Sequence, residues 1–217
     1  IPAVVDLGVS STEALRIIGE SSGNNTGLSV AAGDIDGDGC SDVVVGALNA
    51  DPNGRPNAGT VYIVFGGADA RSGGKLDLRA TSPRVLKLIG PRSGVNLGQS
   101  IKTGDVNGDG YDDIIAGANG ASLADRPNAG EVYVIFGSRE LRDKEYIDLA
   151  SPWSNVLCII GEQEYIASEN SPDARSAAPG GQLGISVAAG DINGDGFSDI
   201  VMGAWRASPE GRSSAGK

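Results

Sequence analysis

The chain has 217 residues and a formal net charge of −11, and 40% of its residues are apolar while only 5% are aromatic. Such an acidic surface repels nucleic acids and anionic membranes, so we expect neither as a partner, and a bound cation is better matched. Because no stretch has the apolar length of a membrane span, no direct membrane insertion is expected.

Three copies of one sequence pattern account for the whole chain. Each copy opens with an acidic-apolar segment, "VDLG", "LDLR" or "IDLA", whose aspartate recurs every 71 residues, at Asp6, Asp77 and Asp148. The third copy carries 15 extra residues within residues 162–183 and stops at Lys217, where its third strand should begin. Repetition at a fixed period predicts a repeat architecture. The repeats span residues 1–71, 72–142 and 143–217.

Four short strands are predicted along each repeat. The first two, "LSVAAG" and "DVVVGA" in the first repeat, enter and leave an acidic turn, and the fourth is "VLKLIG" or its equivalent. Their β-branched residues favour strands. After a loop rich in Asn, Pro and Gly comes "GTVYIVFGG", which is apolar on both faces, as expected of a strand between neighbouring sheets.

A four-stranded unit cannot bury both of its faces alone, so neighbouring units must stack. A radial stack of such sheets is a β-propeller, and we predict an all-β fold of four-stranded antiparallel blades, with about three blades in this chain. A solenoid would also repeat, but 71 residues is long for one coil. Because the third copy ends early, we expect further chain segments to complete the ring, from a longer parent protein or from other chains.

The acidic turn occurs three times, as "GDIDGDGCSD", "GDVNGDGYDD" and "GDINGDGFSD". Carboxylates about 4 Å apart repel by roughly 4 kcal/mol at an effective dielectric near 20, and a divalent cation removes that cost. A D-x-[DN]-x-[DN]-G turn offers side-chain oxygens at positions one, three and five to Ca²⁺, which binds oxygen ligands. Position nine is always aspartate and closes the shell. The first turn has four aspartates, so we expect it to bind calcium most tightly.

Two other interpretations of this turn compete with a calcium site. An EF-hand loop also repeats aspartate, but it ends in glutamate at position twelve, where this sequence has Val45, Ala116 and Met202. A plain hairpin turn favours Asp and Gly as well. Three copies with oxygen-bearing side chains at positions one, three, five and nine favour calcium over a plain turn.

These motifs carry a family resemblance. The pattern "GxSVAAGDxNGDGxxDxxxGA" followed by "VYxxFG" resembles the FG-GAP repeat of integrin α subunits and of many bacterial extracellular proteins, and the "LDL" and "IIG" segments are more similar to the bacterial type. The resemblance implies a seven-bladed parent propeller. The proline of "GAP" is replaced by Leu48, Asn119 and Trp205, so the conformation of the loop that follows is left open.

The resemblance also implies three Ca²⁺ sites, one in each turn. The side chains at positions one, three, five and nine and the backbone carbonyl at position seven would bind the ion. The implied ligands are Asp34, Asp36, Asp38, Cys40 (backbone oxygen) and Asp42 in the first turn; Asp105, Asn107, Asp109, Tyr111 (backbone oxygen) and Asp113 in the second; and Asp191, Asn193, Asp195, Phe197 (backbone oxygen) and Asp199 in the third.

The implied function is that of a calcium-binding module of an extracellular, cell-surface or periplasmic protein, which binds a protein or glycan ligand in adhesion or recognition. The absence of histidine removes Ser-His-Asp and Cys-His nucleophiles, so no catalysis is expected. Two alternatives stay open: an accessory propeller of a secreted hydrolase such as a phospholipase, and a structural subunit of a surface filament or layer. A ligand face opposite the acidic turns would include Tyr165, Arg175, Trp205 and Arg206.

Overall fold

The computed structural model describes residues 15–67, 74–162, 165–168, 171–177, 180–208 and 215–217. Short 3₁₀-helices at Pro52–Gly54 and Arg139–Asp143 interrupt a structure built of β-strands. Within these ranges, no helix has both the length and the apolar character needed to span a bilayer. The strands are β1 (Leu15–Ile18), β2 (Val30–Gly33), β3 (Asp42–Ala47), β4 (Thr60–Val64), β5 (Gly74–Asp77), β6 (Val85–Ile89), β7 (Ile101–Gly104), β8 (Asp113–Ala118), β9 (Glu131–Ile135), β10 (Tyr146–Asp148), β11 (Val156–Ile160), β12 (Tyr165–Ser168), β13 (Ser171–Ala177), β14 (Leu183–Gly190) and β15 (Asp199–Ala204).

Two four-stranded antiparallel sheets form the centre of the structure, in the orders β2–β3–β4–β6 and β7–β8–β9–β11. Their central strands β3, β4, β8 and β9 consist mainly of Val, Ile and Ala and are almost wholly buried, as strands covered on both faces are. In a third sheet, β14 and β15 pair as a hairpin. This arrangement confirms the predicted all-β fold with four-stranded antiparallel blades in a partial propeller.

The outer strand of each four-stranded blade comes from the following sequence repeat. β2, β3 and β4 lie within residues 1–71, but β6, which pairs with β4, lies within residues 72–142. The same offset places β11, from residues 143–217, beside β9 of the preceding repeat. The backbone therefore crosses each blade boundary, and one repeat cannot form a complete blade alone.

The acidic-apolar segments that open the second and third repeats each add a parallel strand to an earlier strand. β10 pairs with β6, with Asp148 opposite Ile89, and β5 pairs with β1 in the equivalent register. Arg55, in the loop before β4, holds β10 by two hydrogen bonds to the Asp148 carboxylate, of 2.8 and 2.5 Å. These bonds lower the pKa of Asp148. The fifth strand covers an edge that would otherwise be open to another chain.

Aliphatic side chains and close backbone contacts pack the first blade against the second. Val44 and Leu86 of the first blade share a buried cluster with Ile114 of the second. A Cβ atom on Gly46, the glycine of the "GA" motif, would lie only 2.3 Å from the carbonyl oxygen of Gly98 in the next blade. Only glycine allows the inner strands to approach this closely.

The extra residues of the third repeat form a hairpin, in which β12 and β13 pair antiparallel. The sequence does not indicate these strands, because its polar residues have no regular alternation. At its end, the N–H groups of Gln182 and Leu183 donate to the carbonyl oxygens of Asn128 and Ala129, at 3.1 and 2.9 Å. The end of the insertion is therefore anchored on the second blade.

We predict that Arg55→Ala lowers the free energy of unfolding by about 1–3 kcal/mol, because it removes a bidentate partner from a mostly buried carboxylate. The side chains of Arg55 and Asp148 are 24% and 18% exposed. Chemical denaturation at neutral pH measures the effect. The matched control is Arg79→Ala, which removes the partner of Asp77 but changes an arginine that is 67% exposed. Equal losses of stability in the two variants would contradict the role assigned to Arg55.

Candidate metal centres

The three acidic turns lie at the same end of three hairpins, where β2, β7 and β14 lead into β3, β8 and β15. The strand pair next to each turn is a glycine opposite the aspartate of position nine. These pairs are Gly33 and Asp42, Gly104 and Asp113, and Gly190 and Asp199. The repeated register gives all three turns the same length and the same attachment to the blades.

Backbone N–H groups hold the carboxylates of the first turn. The Asp34 carboxylate accepts hydrogen bonds from the N–H groups of Asp38 and Gly39, at 3.1 and 2.9 Å. One oxygen of Asp36 and one of Asp38 each accept the N–H two residues further along, at 3.1 and 2.8 Å. The side chains at positions one, three and five therefore bend back over the same loop, as they do in calcium-binding turns.

The second and third turns repeat this hydrogen-bond pattern. Their position-one aspartates, Asp105 and Asp191, accept the N–H groups of the glycines at positions four and six, at 2.6–3.0 Å. Position three is asparagine in both turns, and the side-chain oxygens of Asn107 and Asn193 accept the N–H of position five at 3.0 and 2.8 Å. The three turns thus share the N–H bonds of positions five and six but differ in charge at position three.

Position nine is buried in the first two turns. Asp42 and Asp113 are fully buried. Asp42 accepts the N–H groups of Ile35 and Gly66, at 2.9 and 2.8 Å, so it connects its turn to the residues that follow β4. Burial, together with the neighbouring carboxylates, raises the pKa of Asp42 and of Asp113 to about 6. A cation close to these carboxylates would offset the cost of keeping them ionised.

The carboxylates of the first turn converge closely enough to share an ion. One oxygen from each of Asp34, Asp36 and Asp42 lies within 4.8 Å of the others. Two oxygens bound to the same Ca²⁺ at about 2.4 Å can be at most about 4.8 Å apart. All of these donors are oxygens, which hard cations prefer. These three residues therefore fit calcium, while Asp38, the carbonyl ligands at position seven and the ligands of the second and third turns stay predictions.

Arg142 also contacts the first turn, although the turn motif does not predict it. It lies on the 3₁₀-helix after β9, and its Nη1 atom is 2.6 Å from one oxygen of Asp36 and 2.6 Å from one of Asp38. Its guanidinium lies 5.6 Å from the ring centre of Phe65. The hydrogen bond from Arg142 lowers the pKa of Asp38. The only signal in the sequence is that Arg71, outside the described residues, occupies the equivalent position one repeat earlier.

Neighbouring turns also pack against each other. The N–H of Asp112, in the second turn, donates to the carbonyl oxygen of Asp34, and its carboxylate accepts the N–H of Asp34, both at 2.9 Å. The ring of Tyr111 covers Gly37 so closely that a Cβ atom there would lie 2.5 Å from it. The third turn is linked to the second in the same way, since the N–H of Ser198 donates to the Asp105 carbonyl at 2.8 Å. The turns therefore form a connected row.

The predicted ligand face lies at the other end of the third hairpin. Trp205 directly follows β15, is 53% exposed, and donates from its indole N–H to the Gln182 side chain at 2.8 Å. The Arg206 guanidinium lies 4.8 Å from the centre of the Trp205 ring. Tyr165 and Arg175 lie on β12 and β13, the hairpin of the insertion. Trp205 and the end of the insertion are thus adjacent, away from the acidic turns.

The turn-bearing hairpins coincide with a known repeat. The family model described as FG-GAP repeat matches residues 26–64, 97–135 and 183–217, which together make up more than half of the chain. The chain belongs to the FG-GAP repeat family. Each match in this FG-GAP protein contains one acidic turn and the two strands that flank it. The family assignment and the repeated turn geometry therefore concern the same segments.

The FG-GAP chain is similar to parts of much longer proteins. It is 26% identical over 191 residues to integrin alpha-PS2 of Drosophila melanogaster. That alignment covers 86% of this chain and 11% of the integrin. It is 32% identical over 189 residues to integrin alpha-PS5 of the same species, covering 86% of this chain and 15% of the relative. It is 27% identical over 178 residues to phosphatidylinositol-glycan-specific phospholipase D of Homo sapiens. That alignment covers 82% of this chain and 18% of the enzyme.

We predict that Gly108→Ala destabilises the protein by about 1–3 kcal/mol more than Gly110→Ala. Both glycines lie in the second turn with positive φ, at +76° and +87°, so the backbone strain of the two substitutions is similar. A Cβ atom on Gly108 would lie 2.0 Å from the Phe197 ring, whereas a Cβ atom on Gly110 would point into open space. Denaturation at saturating calcium measures the difference. Equal effects would show that packing between turns adds no stability.

Proposed function

We propose that this chain is a calcium-stabilised FG-GAP propeller module that works outside the cytoplasm, at a cell surface, in the extracellular space or in the periplasm. The observation that carries the proposal is the convergence of the Asp34, Asp36 and Asp42 carboxylates within 4.8 Å. The same hydrogen-bond pattern in the other two turns supports one ion in each, with the ligands that the FG-GAP resemblance implies. Calcium would supply the positive charge that holds these acidic turns together.

The module is proposed to act in adhesion or recognition of a protein or glycan and not in catalysis. The similarity to integrin alpha chains supports a recognition role. The absence of histidine from the sequence argues against a Ser-His-Asp or Cys-His centre in this chain. The exposed Trp205–Arg206 pair beside the insertion offers an aromatic and cationic surface on a rigid hairpin end, where ligands commonly bind.

A second candidate is an accessory propeller beside a hydrolase domain. The similarity to phosphatidylinositol-glycan-specific phospholipase D favours it, since 82% of this chain aligns with 18% of that enzyme. In this case calcium would have the same structural role, while catalysis would belong to another domain. The two candidates therefore make the same prediction for the turns and differ in what the remainder of the polypeptide does.

Calcium should raise the melting temperature of the chain, and an excess of chelator should lower it. At a free concentration of 100 times the dissociation constant, each site adds about 2.7 kcal/mol to the free energy of unfolding. Asp109→Asn, at position five of the second turn, should reduce this calcium-dependent gain because it removes one of the anionic ligands. Thermal unfolding of both proteins with calcium and with chelator measures the effect.

The matched control is Asp125→Asn, which makes the same change of charge in the loop between β8 and β9, at a side chain that is 73% exposed. It should keep the full calcium-dependent gain. A melting temperature that chelation leaves unchanged would refute calcium stabilisation. An equal reduction by Asp109→Asn and Asp125→Asn would refute binding of calcium at the second turn.

A further inference from the structure

Arg142 makes its closest contacts with two carboxylates of the first turn. A single nitrogen, Nη1, lies 2.6 Å from the Oδ2 atoms of both Asp36 and Asp38, and Nη2 lies 3.3 Å from the carbonyl oxygen of Gly66. The side chains of Asp36, Asp38 and Arg142 are 1%, 26% and 38% exposed. The Arg142 guanidinium is therefore partly shielded from water. Charge-assisted hydrogen bonds are stronger in such a setting than at a fully exposed surface.

The two oxygens that Arg142 contacts are the ones best able to bind an ion. The Oδ1 atoms of Asp36 and Asp38 already accept the N–H groups of Asp38 and Cys40. Their Oδ2 atoms therefore have more of their lone pairs available for an ion. Because Nη1 bridges these two Oδ2 atoms, the guanidinium and a calcium ion need the same electron pairs.

In the second turn, the described donor at the corresponding point is neutral. The Oδ2 atom of Asp109, at position five, accepts a hydrogen bond of 2.9 Å from the neutral amide of Asn107, at position three. In the first turn position three is Asp36, and the charge-bearing donor comes from Arg142, 106 residues away in the sequence. The extra aspartate of the first turn is thus matched by an arginine. The Asp112 carboxylate, which accepts the N–H of Asp34, adds a further negative charge beside this turn.

We propose that Arg142 competes with calcium for Asp36 and Asp38 and weakens calcium binding at the first turn. This inference rests on the calcium binding proposed above. It opposes the higher affinity expected from counting aspartates, of which the first turn has four and the second and third turns have three each. Arg142 thereby sets the calcium requirement of the first blade from a helix that belongs to the second sequence repeat.

The test is a calcium titration of the 217-residue chain followed by ¹H–¹⁵N NMR. Gly39, Gly110 and Gly196 occupy position six of the three turns, and their N–H groups donate to the position-one aspartates. The calcium dependence of each glycine signal therefore reports the affinity of its own turn. Arg142→Gln should tighten binding at the first turn about tenfold, equivalent to about 1.4 kcal/mol, and leave the other two turns unchanged.

The matched control is Arg139→Gln, which removes one positive charge from the same 3₁₀-helix, at a side chain that is exposed. It should leave the Gly39 titration unchanged. A first-turn affinity that is unchanged or weaker in Arg142→Gln, or equally tightened in Arg139→Gln, would overturn the competition while the Gly110 and Gly196 signals still respond to calcium. If none of the three glycine signals responds to calcium, the proposed function and the competition both fail.

A second variant keeps the inference testable if Arg142→Gln does not fold. Asp36→Asn gives the first turn the asparagine that the other two turns carry at position three. It removes an anionic ligand of calcium, but it also removes one of the two carboxylates that Arg142 binds. The competition therefore predicts a change in first-turn calcium affinity of at most about threefold. A loss of about tenfold or more would contradict the competition.

Discussion

Repulsion between carboxylates crowded into short turns is the physical constraint on which the rest of this structure depends. Backbone N–H groups hold the side-chain oxygens of each turn at positions one, three and five, and burial of Asp42 and Asp113 raises the pKa of both to about 6. The same N–H groups fix the turn at one end of each hairpin. A cation beside each turn would offset the cost of keeping these carboxylates ionised.

The blades are joined by contacts in which one repeat completes another. β6 and β11 supply outer strands to blades that begin in the preceding repeat, and Arg55 clamps Asp148 of a later repeat. At the end of the hairpins that carries the acidic turns, the second turn packs on the first, and Arg142 donates a hydrogen bond to Asp36 of the first turn. Interfaces of this kind couple the stability of neighbouring units in repeat proteins. Binding of an ion at one turn should therefore influence more than one blade.

The elements that were predicted well depend on short-range patterns. β3, β8 and β15 have the expected bounds because an acidic turn precedes each β-branched run. The offset between repeat and blade could not be predicted, since it depends on which strands pair and not on strand propensity. Arg142 was missed because its partners lie more than 100 residues away. The hairpin in the insertion was missed because its sequence lacks an alternating pattern.

The number of calcium ions bound per chain tests the central claim most directly. Native mass spectrometry in calcium should detect three ions per chain, and replacing the position-one aspartate, Asp34, Asp105 or Asp191, should remove one ion each time. A stoichiometry that does not change with these replacements, or a chain that binds no calcium, would contradict the assignment of one ion to each acidic turn.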